Sequence, residues 1–509
     1  MDRNSMLAAA LALFSLSGCV SVGPDFTRPD LSLPSVSFFG EPEPVVTDAS
    51  LAATKGDLPP TDPRWWAAFH DPILTSLAER SAAANLDVAA ATLRLIESRA
   101  QLGATASAAL PTVNGDASYQ RQLYSQNGIV SFATKAFQPL EPSTPFILPP
   151  FSVYQPTFDA SWELDLWGRV RRQVEAADAQ AEASENQRRD TLVSVLAELA
   201  RDYIQLRGVQ AQIAVATKNL VSSNEILQLT KTRTEKGLAA QLDTENAAAQ
   251  VEAVRATLPT LEDQQTAQIN ALSFLLNEPP GSLRSELVLA KPIPRTPQSV
   301  PLGVPSELAR RRPDIRQAEA QLHAATATIG VAVADFYPSV TLNGSVGFNA
   351  LDLRNLWKGS SLQYVFGPSV SLPIFEGGRL KSTLEFREAQ QQEAAIAYHK
   401  TVLQAWHEVV NALVAYRTEQ ERRARLKAQI DHARQILALS RLLYDEGLAD
   451  FITVLLAEQT IFQGELQYVQ STTTVSTNLV QLYKALGGGW ELTFPNERES
   501  SVVAIQPIQ

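Results

Sequence analysis

From Arg379 to Glu446 the chain runs for 68 residues without a glycine or a proline, in a stretch rich in alanine, glutamate, glutamine, arginine and leucine. At 1.5 Å of rise per residue, one unbroken helix of that length would measure roughly 100 Å, which no ordinary globular domain can hold. Val402, Trp406, Val409, Leu413 and Tyr416 step by four and three, and Leu426, Ile430, Ala433, Leu437, Ser440 and Tyr444 resume the pattern after a phase shift. That spacing predicts a coiled-coil seam. A second run, Arg169 to Lys236, carries a single glycine, Gly208, and a more alanine-rich pattern that would let helices approach closely. The predicted long helices, about 168–236 and 378–446, end in related turns, EKGLAAQLDTENA and DEGLADFITVLLAEQ, where Gly237 and Gly447 read as left-handed caps. Returning helices are predicted at 240–277 and 450–486, the first kinked at Pro259.

The two runs belong to a longer internal similarity. Gly168 and Gly378, Gly237 and Gly447, Leu272 and Leu482, and Leu276 and Leu486 are each 210 residues apart. Upstream, LPTVNGDASY matches YPSVTLNGSV at an offset of 227, which places 17 additional residues between Pro111 and Ser161. Helices are predicted at 73–109 and 313–335, the second opened by Pro313 and Asp314, which suit a helix start. The preceding ARRR run reads as a solvated surface at that helix start rather than a phosphate patch. The prolines of Lys291 to Pro305 predict a stiff, extended connection. The predicted organisation is a leader (1–18), an extended segment (19–72), a first unit (73–280), a proline-rich linker (281–304), a second unit (305–487) and a tail (488–509). Each unit reads helix, strand, strand, long helix, returning helix.

The strands, at about 111–121, 153–166, 338–350 and 362–374, alternate with period two. In the second, Tyr154, Phe158, Ala160, Trp162 and Leu164 alternate with Gln155, Thr157, Asp159, Ser161 and Glu163. Such alternation fits a membrane-barrel strand, and equally a small amphipathic sheet packed on helices. Open sheet edges do not survive in hydrocarbon, and single-chain membrane barrels start at about eight strands. Four strands per chain therefore span a membrane only if several copies share one barrel. Two copies give eight strands and an interior filled by side chains; three give twelve and leave room for a wet pore.

The one cysteine, Cys19, closes an apolar stretch (Met6 to Leu16) behind Arg3. That layout predicts a bacterial secretion signal, too short to remain as a span. Leu16, Ser17, Gly18 and Cys19 resemble a lipobox, which implies a diacylglycerol and an N-acyl chain on Cys19; several chains on one residue make a stable anchor. Val20, where sorting signals place Asp, favours delivery to the outer membrane by the same analogy. The net charge of -11 argues against nucleic acid as a partner. Beyond the leader no run of 18 apolar residues exists, so any membrane crossing must use strands.

CVSVGPDFTRP at Cys19, WWAAFHDPILTSL at Trp65, RRPDIRQAEAQLHAATATIGVAVADFYPSVTL at Arg311, LPIFEGGRL at Leu372 and GLADFITVLLAEQ at Gly447 resemble the TolC-type outer-membrane efflux channels, in their lipoprotein branch (OprM/NodT-like). The resemblance covers nearly all of residues 19–490. It implies a mixed α and membrane β fold: a homotrimer whose twelve strands form an outer-membrane barrel, continued by a periplasmic α-helical coiled-coil barrel. It further implies a passive exit duct for small molecules such as drugs, docked to a periplasmic adaptor and an RND-type inner-membrane pump. Gly237, Leu238, Gly447 and Leu448 match the tip turns that meet the adaptor. Asp450 matches the acidic position that narrows the closed entrance, with Asp445 and Glu446 near enough to fill the same role. The first tip has Ala239 and Ala240 where the second has Ala449 and Asp450, so a gate built from both would be asymmetric.

No catalytic set is legible. His399 and His407 are eight apart, not at the three or four that brings metal ligands together on a helix, and read as surface residues of the coiled coil. LNGSVG lacks the spacing of a hydrolase elbow, and the triple glycine at Gly487 reads as a flexible helix exit. Neither an enzyme nor a bound cofactor is expected beyond the acyl chains. Two other readings stay open: a duct for secreted proteins or oligosaccharides, and a lipid-anchored coiled-coil scaffold without a pore.

Overall fold

The computed structural model describes residues 21–29, 63–125, 149–297 and 311–494. The leader, Cys19 and most of the tail lie outside the described residues. A short 3-10 turn, Trp65–Phe69, leads into α1 (Pro72–Ala84) and α2 (Leu86–Ala106). Strands β1 (Thr112–Gln122) and β2 (Phe151–Leu164) precede the long helix α3 (Arg169–Glu235), the returning helix α4 (Gln241–Leu275) and a single turn, α5 (Arg284–Leu287). The order then repeats as α6 (Pro313–Ala334), β3 (Ser339–Phe348), β4 (Leu362–Ser371), α7 (Arg379–Asp445) and α8 (Phe451–Ala485). Both long helices have 67 residues and both returning helices 35.

Several expectations are corrected. The helix expected over 73–109 is two helices, because Asn85 is extended (ψ 133°) and caps the second. Its Oδ1 accepts the N–H groups of Asp87 at 2.9 Å and Val88 at 3.2 Å, so an asparagine inside an alanine-rich run acts as a start signal. Strand β2 lies two residues upstream of the expected 153–166, since Asp165 caps α3 by accepting from Val170 N–H at 3.1 Å and Arg171 N–H at 2.9 Å. Strand β4 stops at Ser371, short of 374, because Pro373 cannot donate to a ladder. Pro259 lies inside α4, within the returning helix where the sequence places it.

The chain divides into two compact units. The first comprises residues 1–27, 97–181 and 320–395 and holds the sheet. Its four strands are all antiparallel in the order β1-β2-β3-β4. The second comprises residues 28–96, 182–319 and 396–509. Its core gathers Leu77, Leu196, Tyr203, Leu272, Val475 and Leu479, all fully buried, together with Trp65, whose ring stacks on Tyr483 at 5.4 Å. Each buried side chain of this size contributes roughly 1.5–3 kcal/mol. Within this unit Gly208 is a point where α3 and α8 pack closely: a Cβ there would lie 2.3 Å from Thr473 Oγ1. Of the seam on α7, Val402, Val409, Leu413, Tyr416, Leu426, Ile430, Ala433 and Ser440 are buried.

The ARRR run is not all solvated surface. Arg312 is buried: its Nη1 donates to Ala485 O at 2.8 Å, Nε and Nη2 bind Asp314 at 3.0 and 2.7 Å, and Nη2 also reaches Glu408 at 2.8 Å. The glycine exit after α8 is close-packed rather than loose. Gly487 (φ 73°) faces Arg312, and Gly489 (φ 114°) faces the Trp65 indole, each closer than any Cβ would allow.

Candidate functional site

Two regions carry the features that the sequence points to, the sheet in one unit and the helix tips in the other. In the sheet the register carries one face of each strand into the next. Val113, Ala160, Gly344 and Phe366 lie side by side across all four strands, as do Gly115, Phe158, Val346 and Tyr364. The opposite face aligns Thr112, Ser161 and Asn343, then Asn114, Asp159 and Ser345, with Val365, Val153 and Phe151 as apolar intrusions. Ser161 Oγ donates to Asn343 Oδ1 across this polar face at 2.9 Å. The apolar face is bare, with Tyr364 78% and Phe366 73% exposed. Among the described residues, strands β1 and β4 each have one neighbour, so both outer edges present unpaired backbone groups.

The tips are built twice in the same way. Leu238 N–H donates to Arg233 O at 2.8 Å and Leu448 N–H to Leu443 O at 2.8 Å, the six-to-one bond of a Schellman cap. Gly237 (φ 71°) and Gly447 (φ 73°) take the left-handed position that bond requires. Leu238 and Leu448 point outward, 68% and 75% exposed. Behind them Phe451, Leu455 and Ala247 pack with Tyr444, Ile226 and Leu227.

The three acids of the second tip differ in what holds them. Asp445 Oδ1 receives Arg233 Nη1 at 3.0 Å, while the Arg233 guanidinium lies 4.5 Å above the Tyr444 ring. Asp450 occupies the N-cap of α8 with extended backbone (φ −77°, ψ 151°), yet its side chain makes no capping bond. It is exposed, and neither its side chain nor that of Glu446 has a hydrogen-bond or ion-pair partner among the described residues. Ala240 sits in the matching backbone position on the first tip (φ −74°, ψ 151°). Cys19 lies outside the described residues.

Sequence reasoning missed two clusters. One surrounds Arg312, where burial pushes the Asp190 carboxyl up to about 6, with the negative charge of Asp314 adding and Lys484 and Arg312 opposing. A charge run read as solvated hid it. The other joins His323 to Glu175 (Nε2 to Oε1, 3.0 Å) and Phe26, whose ring stacks on the imidazole at 4.5 Å. No local pattern links residue 26 to residue 323. His399 and His407 are exposed on α7. Among the described residues no three His, Cys, Asp or Glu side chains gather as a metal site, and no helix is long and apolar enough to cross a membrane.

Residues 77–278 and 304–488 match the family described as outer membrane efflux protein. A probable efflux pump outer membrane protein, TtgC of Pseudomonas putida, is 31% identical over 508 residues, covering 98% of this chain and 99% of TtgC. The solved outer-membrane channel OprN is similar with a TM-score of 0.83 and 33% identity, over 92% of this chain and 100% of OprN. The open-state outer membrane channel MtrE of Neisseria gonorrhoeae is similar with a TM-score of 0.75 and 27% identity, over 92% of this chain and 98% of MtrE. Matched through both of its halves and along nearly its whole length, the chain belongs to the outer membrane efflux protein family.

Proposed function

We propose that three copies of the chain form a passive outer-membrane exit duct of a tripartite efflux pump, moving small molecules such as drugs. The observation that carries this reading is the sheet: an exposed apolar face, an in-register polar face and two unpaired edges. Such a sheet is stable in lipid only when other copies pair with β1 and β4 and close the ring. Three copies make twelve strands, wide enough for the polar face to line a wet pore. The two sequence repeats, 73–280 and 305–487, would each supply half of a subunit's share, and the long helices would continue the duct into the periplasm as a coiled-coil barrel.

The exposed leucines of the two tips offer an apolar docking surface for a periplasmic adaptor, which would link the duct to a proton-driven inner-membrane pump. Asp450 is the better gate acid than Asp445, because Arg233 already neutralises Asp445. Three uncapped Asp450 carboxylates converging on an axis would repel each other, attract cations and leave the closed entrance easy to dilate. Acylation of Cys19 would anchor each copy to the membrane. The decisive experiment is conductance of purified protein in planar bilayers, read beside native mass spectrometry in detergent. Discrete channels from a trimeric species are expected, and a monomer without conductance would sink the reading. A crosslinker placed at the Gly447 turn should capture the adaptor in cells.

A further inference from the structure

Residues 21–26 do not trail from the body; they lie in a fitted seat. Val22 N–H donates to Trp167 O at 3.0 Å, and Arg172 Nε reaches Val22 O at 3.3 Å. Arg172 Nη2 binds Asp25 Oδ1 at 2.5 Å while its Nη1 binds Glu175 at 2.8 Å. Glu175 in turn holds His323, on which Phe26 stacks. Three glycines let backbones meet. A Cβ on Gly23 would lie 2.5 Å from Gly330 Cα, one on Gly330 would lie 2.8 Å from Arg172 Cγ, and one on Gly168 would lie 2.6 Å from Ser21 Oγ. Arg172 is almost wholly buried, so its charge depends on the partners this arrangement supplies.

We propose that residues 21–26 are a strap, and that Gly168, Arg172 and Glu175 of α3 with His323 and Gly330 of α6 form its built receptor, fixing where the chain leaves toward residue 19. The place is informative. Trp167, whose carbonyl receives the strap, lies three residues past the end of β2; its ring stacks on Tyr337 at 4.8 Å and its Nε1 donates to Pro338 O at 2.8 Å. An aromatic pair at the ends of strands marks a membrane–water interface. Two residues span about 7 Å at most, so a strap seated at Ser21 would keep residue 19 near that interface. That the group so positioned is an acyl anchor rests on the Cys19 reading above; the seat itself does not.

Gly23→Ala is the sharpest test, because it alters the strap and leaves the body's side chains in place. The left-handed φ of 89° and the backbone of Gly330 both oppose the new methyl. In full-length protein in detergent, amide exchange across residues 22–27 should accelerate by about tenfold or more, with the melting temperature of the helical body unchanged. Arg172→Gln should do the same through the receptor side. Unaltered exchange in both variants would overturn the seat. Palmitate labelling separates the two readings: Gly23→Ala should keep its label with a loosened strap, and Cys19→Ser should lose its label with the strap still protected. A strap released in Cys19→Ser would show that the acyl chains, not the seat, hold it, and would also overturn the proposal. Label retained in Cys19→Ser would end the anchor assignment alone.

Discussion

Helices α2 and α6 begin 227 residues apart, at Leu86 and Pro313, while α4 and α8 end 210 apart, at Leu275 and Ala485. In each half the residue just before the opening helix reaches across to the last carbonyl of the returning helix. Asn85 Nδ2 donates to Leu275 O at 3.0 Å, and Arg312 Nη1 donates to Ala485 O at 2.8 Å. The tie is the same and its chemistry is not. A neutral amide needs nothing further once its hydrogen bonds are made, whereas a buried guanidinium must recruit Asp314 and Glu408 and so brings Asp190 into a crowd of charges. Position in the fold sets the geometry of a contact, and the side chain placed there decides whether it responds to pH.

The largest expected effect comes from breaking the charged tie. Arg312→Ala strands two carboxylates and should cost about 3–5 kcal/mol, against about 1–2 for Asn85→Ala, which loses a cap and a buried bond. Thermal and denaturant unfolding of the two variants would compare them directly, and equal losses would mean that the charge is incidental. Next is Gly208→Ala, where a methyl meets Thr473 and should cost about 1–3 kcal/mol. The residue 210 further on, Thr418, is exposed, and Thr418→Ala should stay within about 0.5 kcal/mol by the same assay.

The third prediction concerns pH. Because the Asp190 carboxyl is raised from 3.8 to about 6, the folded protein binds the extra proton between those values, and stability falls as pH climbs through that window. Allowing for partial exposure, Asp190→Asn should gain on the order of 2 kcal/mol at pH 7 and nothing near pH 4. A stability profile unchanged in slope between pH 4 and 6 would remove Asp190 from the account. The smallest effect on stability belongs to the tips. Asp450→Ala makes the second N-cap like Ala240 and breaks no bond, so folding should be unchanged while leak of large antibiotics into cells rises. No change in leak would leave Glu446 as the remaining unpaired acid at that turn.

Much of the fold was legible because its signals are local. A run without glycine or proline marks α7, a run with one glycine and no proline marks α3, single glycines mark both tips, and alternation marks four strands. The signals that failed are those in which distant residues decide. Asn85 reads as one polar residue in a helical run until Leu275 O lies within reach. Arg312 reads as a surface charge until α7 brings Glu408 against it. The strap is invisible because Gly23 and Gly330 are 307 positions apart and touch through backbone alone. At the candidate site the tip leucines and Asp450 could be named by resemblance, but the capture of Asp445 by Arg233, which separates the three acids, is set by the tertiary fold. The matching glycines at the starts of the long helices make the same point: Gly168 is pressed against Ser21, and Gly378 has nothing within 4 Å.

The unsatisfied outer strands also have a genetic consequence. If a ring needs three siblings, a copy with a ruined β1 or β4 spoils every assembly that it joins. With half of the synthesised chains defective, only about one eighth of rings would be wholly sound. Strand-edge alleles should therefore behave as dominant inhibitors when expressed beside a healthy gene, whereas alleles that merely prevent folding should be recessive.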